Sequence, residues 1–136
     1  MNNSIDPSTS SEPHNPLPDV TIEQLPDRLR DAAARVGWTT LMPVQARAIP
    51  YLLAARDMMI QARTGSGKTG AFLLPMLSRL DPKRNHCQAL ILVPTRELAR
   101  QVWQEAETLC GGAGFRTVAV YGGVGYGQQI DALRQG

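Results

Sequence analysis

Two short apolar runs, Met58, Met59 and Ile60 on one side and Ala71, Phe72, Leu73 and Leu74 on the other, flank residues 62–69, which read A-R-T-G-S-G-K-T. An apolar run, a glycine loop and an apolar helix in that order are the strand, loop and helix of a phosphate-binding loop. The chemistry needs small residues. Gly65 and Gly67 let the backbone curl so that successive N–H groups converge on phosphate oxygens, where a Cβ would obstruct. A helix opening near Lys68 adds the positive end of its dipole. Lys68 then reaches the β- and γ-phosphates as a mobile point charge, and the Thr69 hydroxyl is placed to ligand the bridging Mg²⁺. Ala62, Arg63, Thr64, Gly65, Ser66, Gly67, Lys68 and Thr69 are thus the candidate nucleotide-binding residues, with Lys68 and Thr69 the candidate catalytic pair and Thr69 the candidate metal ligand. One position departs from G-x-x-x-x-G-K-[ST]: Ala62 stands where the first glycine belongs.

The strand and helix order continues on both sides. Residues 1–19 are rich in Ser, Asn and Pro and read as a disordered tail. A helix is expected to start at Pro26, bury Leu29, Ala32, Ala33 and Val36, and end on a left-handed Gly37. A second should open at Pro43, bury Val44, Ala48 and Leu52, and stop near Ala55, with Gln45 in its first turn. The helix after the loop should run from Lys68 to about Leu80, disturbed by Pro75. Residues 89–93 form a continuous apolar run suited to a parallel sheet. Thr95 is a plausible N-cap for a helix whose apolar stripe is Leu98, Ala99, Val102, Trp103, Ala106 and Leu109, ended by Gly111 and Gly112. A third strand over residues 117–121 leads to Gly122 and Gly123, and a last helix begins near Gly127 and runs toward Leu133.

This order predicts an α/β fold, a parallel sheet with helices on both faces and ligands at the C-terminal ends of the strands. Three loops, residues 62–69, residues 94–97 and the Gly122 and Gly123 pair, are therefore expected on one rim.

Composition sets outer limits. At 136 residues the chain makes one modest domain or part of one. No apolar run approaches the roughly 18 residues of a membrane span, and the N-terminus lacks a secretory signal. Cys87 and Cys110 have no His or Cys at metal-ligand spacing and read as reduced, packed thiols of a cytoplasmic protein; His14 and His86 read as exposed and non-catalytic. The net charge is +2; Asp6, Glu12 and Asp19 put −3 on the tail, leaving +5 on the remainder, which is compatible with a polyanionic partner.

Taken together, the motifs resemble the first RecA-like domain of the DEAD-box ATP-dependent RNA helicases, from about Val20 to the end of the chain. A-R-T-G-S-G-K-T followed by A-F-L-L-P at 71–75 is similar to motif I, P-T-R-E-L-A at 94–99 to motif Ia, and Gly122 with Gly123 to the glycine pair after the third strand. The stretch from 37 to 45, with Gly37, Trp38, Pro43, Val44 and Gln45, is similar to the Q motif. A phosphate loop alone marks a vast superfamily; P-T-R-E-L-A at this distance is specific.

On spacing alone Gln45 reads as a surface residue. The resemblance implies instead that its amide pairs with adenine N6 and N7, which selects ATP over GTP. It also implies that Pro94, Thr95, Arg96, Glu97, Gly122 and Gly123 contact the RNA backbone; from the residues themselves they read as a helix cap, a surface ion pair and a turn. The cofactors implied are ATP and Mg²⁺, and the partner is RNA.

Several positions depart from the family pattern. Val20 stands where an adenine-stacking aromatic is usual, Leu41 and Met42 replace Pro-Thr before Pro43, and Trp38 replaces a phenylalanine. Met42 cannot cap the helix that follows, a loss of about 1 kcal/mol. The D-E-A-D carboxylates, the S-A-T segment and a second RecA-like domain with its arginine fingers have no counterpart in these residues. The expectation is a fragment, residues 20–136 being the first part of the domain, inactive by itself because acidic metal ligands and arginine fingers supply much of the turnover. Two rivals remain: a nucleotide-driven motor acting on DNA, and a non-catalytic nucleotide- or RNA-binding module.

Overall fold

The computed structural model describes residues 13–135. Among them are five α-helices: α1 (Asp27–Arg35), α2 (Pro43–Leu53), α3 (Lys68–Met76), α4 (Arg96–Cys110) and α5 (Tyr126–Arg134), preceded by one 3₁₀ turn (Ile22–Gln24).

The core is made by four of these helices. Leu25 and, from α1, Leu29, Ala32 and Ala33 pack with Ile49 of α2, Leu73 and Leu74 of α3, Leu77 just beyond it, and Ala106, Leu109 and Cys110 of α4. Packing is densest between α2 and α3, which is how the helix carrying Gln45 is held against the helix that leaves the phosphate loop.

Helix ends follow local chemistry. Gly37 is left-handed (φ 74°) and closes α1 in a Schellman arrangement, with Gly37 N–H donating to Ala34 C=O at 3.0 Å and Trp38 N–H to Ala33 C=O at 2.9 Å. The C-terminus of α2 has the same form, Ala55 N–H to Leu52 C=O at 3.1 Å and Arg56 N–H to Tyr51 C=O at 3.0 Å, but Ala55 takes the left-handed position at φ 59°. An alanine there costs roughly 1 kcal/mol that glycine avoids. Ala55→Gly is accordingly expected to stabilise the protein by about that amount, seen as a higher urea midpoint at unchanged slope.

In α3, Pro75 lies next to the last residue, and the chain leaves in i to i+3 turns: Leu77 N–H to Leu74 C=O, Ser78 N–H to Pro75 C=O and Arg79 N–H to Met76 C=O. The helix expected to reach Leu80 therefore stops at Met76.

Of the tail expected over residues 1–19, residues 1–12 lie outside the described residues, while 13–19 lie along α2. Arg56 donates to the carbonyls of His14 at 3.3 Å and Asn15 at 2.8 Å, and Leu17 N–H donates to the Tyr51 hydroxyl at 2.8 Å. The reason for the attachment sits inside α2. Pro50 has no N–H for the carbonyl of Ala46, and Val20 N–H fills that place at 3.1 Å.

The three expected strands, around residues 58–60, 89–93 and 117–121, run without helix or turn, but no ladder joins them among the described residues. Consecutive strands of a doubly wound sheet need not be neighbours in it. Their apolar side chains stay open, with Met59 88%, Leu90 78% and Leu92 84% exposed. Over 117–121 the burial alternates residue by residue, the period of a strand with one covered face. That face meets α4, where Trp103 Nε1–H donates to Thr117 C=O at 3.2 Å.

Both cysteines are free, as expected, but only Cys110 is packed; Cys87 is exposed. Burial, with the Glu107 charge as a smaller contribution, pushes the Cys110 thiol up, so it stays protonated. No described helix is long and apolar enough to cross a membrane.

Candidate functional site

Residues 62–69 fold into a compact loop that ends in α3. Ser66 N–H turns back to Arg63 C=O at 3.2 Å, Gly65 and Gly67 are left-handed (φ 77° and 87°), and Gly67 is the residue that caps α3. Left-handed glycines are the conformation from which anion nests are built, and two of them flank Ser66, whose own N–H is taken by Arg63 C=O. The Lys68 ammonium folds over the loop and donates to Ala62 C=O and to Arg63 C=O, the latter at 2.7 Å. The Ser66 hydroxyl is buried and has no hydrogen-bond partner.

The donor set fits a polyphosphate with its divalent ion. An unpaired buried hydroxyl, loop N–H groups, a helix N-terminus and an ammonium with a third donor are all suited to phosphate oxygens, and the Thr69 hydroxyl follows in the first turn of α3. A Cβ at Gly65 would meet nothing within 4 Å, so no other part of the protein packs on that side of the loop. Among the described residues no group of three or more His, Cys, Asp or Glu could hold a metal ion.

Gln45 joins this loop to α2. It is 2% exposed; its Oε1 accepts from Met42 N–H at 2.9 Å, half of a capping box at the start of α2, and its Nε2 donates to Gly67 C=O at 3.2 Å. The amide therefore has a protein partner at each end. Met42 caps nothing with its side chain, and its Sδ would lie 2.7 Å from a Cβ on Gly67. Val20, Leu41 and Thr39 to Thr40 line an open groove of about 400 Å³ nearby.

The other expected residues form a second cluster. Thr95 caps α4, its Oγ1 accepting from Leu98 N–H at 3.2 Å, and Pro94, Arg96 and Glu97 are exposed around that helix start. Arg96 Nη1 lies 2.6 Å from where a Cβ on Gly123 would be, so the start of α4 and the Gly122 and Gly123 turn meet. Gln129 of α5, which spacing did not single out, holds that turn by accepting from Tyr121 N–H at 3.0 Å and donating to Tyr121 C=O at 3.2 Å. Of the three loops expected on one rim, these two share contacts; the phosphate loop shares its own with Met42 and Gln45.

Comparison with known proteins assigns the class. The model of the DEAD/DEAH box helicase family matches residues 42–136, and the chain belongs to that family. It is 45% identical over 113 residues to the ATP-dependent RNA helicase DeaD of Haemophilus influenzae, an alignment covering 82% of this chain and 18% of the relative. Its structure is similar to the RNA helicase Prp28 from Chaetomium thermophilum solved with ADP bound, with a TM-score of 0.75 and 44% identity over 90% of this chain and 31% of that one. It is also similar to a DEAD box protein of Methanococcus jannaschii, with a TM-score of 0.73 and 33% identity over 86% of this chain and 33% of that one. The fold is thus the RecA-like α/β fold, represented here by its helices and by segments without helix or turn where strands are expected. The chain spans about a fifth of the length of the curated relatives it matches.

Proposed function

We propose that the intact protein is an ATP-dependent RNA helicase, in which residues 62–69 hold the phosphates of ATP and the cluster around Arg96 holds RNA. One observation carries the reading: the left-handed Gly65 and Gly67 flank Ser66, whose hydroxyl is buried and unpaired, just before α3, with the Lys68 ammonium folded over the loop. In that reading Lys68 exchanges its loop carbonyls for β- and γ-phosphate oxygens, and the Thr69 hydroxyl would hold Mg²⁺, which would supply neutralising charge for the phosphates. Gln45 keeps one N–H on Gly67 C=O and one lone pair on Met42 N–H, and its second N–H and second lone pair match adenine N7 and N6.

On the RNA side, Pro94, Thr95, Arg96 and Glu97 present the N-terminus of α4 and a guanidinium to phosphates, and Gly122 and Gly123 let the backbone of the strand come close. Nothing in that set reads bases, so sequence preference is slight. Strand separation follows when a second domain closes on the first and bends the bound strand; acidic metal ligands and arginines from outside these residues complete hydrolysis. Two free thiols suit the reducing cytoplasm.

The test is ATP turnover by the intact protein with and without single-stranded RNA over a range of salt. RNA should stimulate turnover, and its apparent affinity should fall as salt rises, as counterion release requires. Turnover indifferent to RNA but raised by DNA would transfer the assignment to a DNA motor, and binding without turnover would make the protein a binding module.

A further inference from the structure

Trp38 and Gly70 fit together at the point where α1, α2 and α3 meet. The Schellman end of α1 fixes Trp38 as the second residue past the C-cap Val36, its N–H bound to Ala33 C=O at 2.9 Å, and its indole packs against the core. Gly70 is buried in the first turns of α3, where glycine is disfavoured relative to alanine, so a packing reason for it is expected. The surroundings supply one. A Cβ on Gly70 would overlap Trp38 Cη2, lie 3.0 Å from Trp38 Cζ2 and 2.8 Å from Gln45 Nε2. The indole edge and the Gln45 amide therefore share the notch that the missing side chain leaves.

Neither neighbour yields freely. The indole is rigid and its backbone is pinned by the α1 cap; the amide is held at Oε1 by Met42 N–H and at Nε2 by Gly67 C=O. Gly67 C=O also accepts the helical hydrogen bond of Ala71 N–H at 3.0 Å, so losing the amide would not leave that carbonyl bare.

We propose that Trp38 and Gly70 form a size-matched seat for the Gln45 amide, and that the pair is a specificity-determining element for the base while the phosphate loop stands independently of it. Trp38 is a positioning residue here, acting through Gln45. The proposal rests on the assignment of Gln45 to the base.

The experiment measures ADP, GDP and pyrophosphate binding to the intact protein and its variants by calorimetry. Gly70→Ala should lower the preference for ADP over GDP by about tenfold, the size of one misaligned hydrogen bond. Pyrophosphate affinity should stay within about twofold, since Gly67 C=O keeps its bond from Ala71 N–H and both loop glycines remain. Trp38→Phe shortens the aromatic side chain, and in the Gly70→Ala background it should restore most of the preference. Should Gly70→Ala misfold, as judged by its melting curve, Trp38→Phe alone serves: a loosened seat should reduce the preference with pyrophosphate binding intact. An unchanged preference in the single variants, an equal loss for ADP and pyrophosphate, or no restoration in the double variant overturns the seat. If the unsubstituted protein does not prefer ADP over GDP, the assignment of Gln45 itself fails, and the seat with it.

Discussion

Lys68→Ala should weaken ADP binding by about 10- to 150-fold, the equivalent of one charge-assisted hydrogen bond worth roughly 1.5–3 kcal/mol. The position argues for an effect at the upper end. Lys68 is the first residue of α3, and its ammonium already ties Ala62 C=O and Arg63 C=O across the loop, so its removal loses a phosphate donor and loosens the turn that aims the N–H groups. Lys68→Arg retains the charge but replaces a compact ammonium by a planar fork, and should recover only part of the affinity. Titration calorimetry with ADP decides it; equal affinity for the alanine variant and the parent would remove the lysine from the site.

The second large effect concerns the glycines. Gly67→Ala is expected to cost about 2–4 kcal/mol of stability, combining left-handed strain with overpacking. At φ 87° an added Cβ would sit 2.7 Å from Met42 Sδ, 2.8 Å from Gln45 Nε2 and 3.3 Å from Gln45 Cδ. Gly65→Ala is the internal control. Its φ of 77° carries similar strain, but its Cβ would meet nothing within 4 Å, so about 1–2 kcal/mol is expected. Urea denaturation of both variants separates the two contributions, and equal losses would mean that the contacts with Met42 and Gln45 carry no energy.

Much of this arrangement is legible in the sequence where a residue type has one conformational use. Gly37 does end α1 left-handed, Thr95 does cap α4, and Gly65 with Gly67 do shape the loop. What escapes the sequence depends on contacts between distant residues. The seat of Trp38 against Gly70 has no pattern, since a glycine in an amphipathic helix announces nothing about which ring fills the gap. The burial of Gln45 is equally hidden, because its first partner is local but its second, Gly67, is set by the packing of α2 on α3. Other features left signals that went unread. T-I-E-Q at 21–24 has the spacing of a capping box, and it forms the 3₁₀ turn with Thr21 N–H donating to Gln24 Oε1 at 2.8 Å. The strand segments are apolar enough to be recognised, but pairing belongs to neighbours in the sheet, and about two thirds of the similar solved chains lies outside the matched part.

Pro50 has a practical consequence at the other end of the polypeptide. Because its ring leaves Ala46 C=O to be met by Val20 N–H, one residue from Gln45, the segment before Val20 is tied to the helix that carries Gln45. A version trimmed for crystallisation at residue 20 would discard the anchors at His14, Asn15 and Leu17 that keep that N–H in place, and the damage would surface as a poorly seated base rather than as a missing tail.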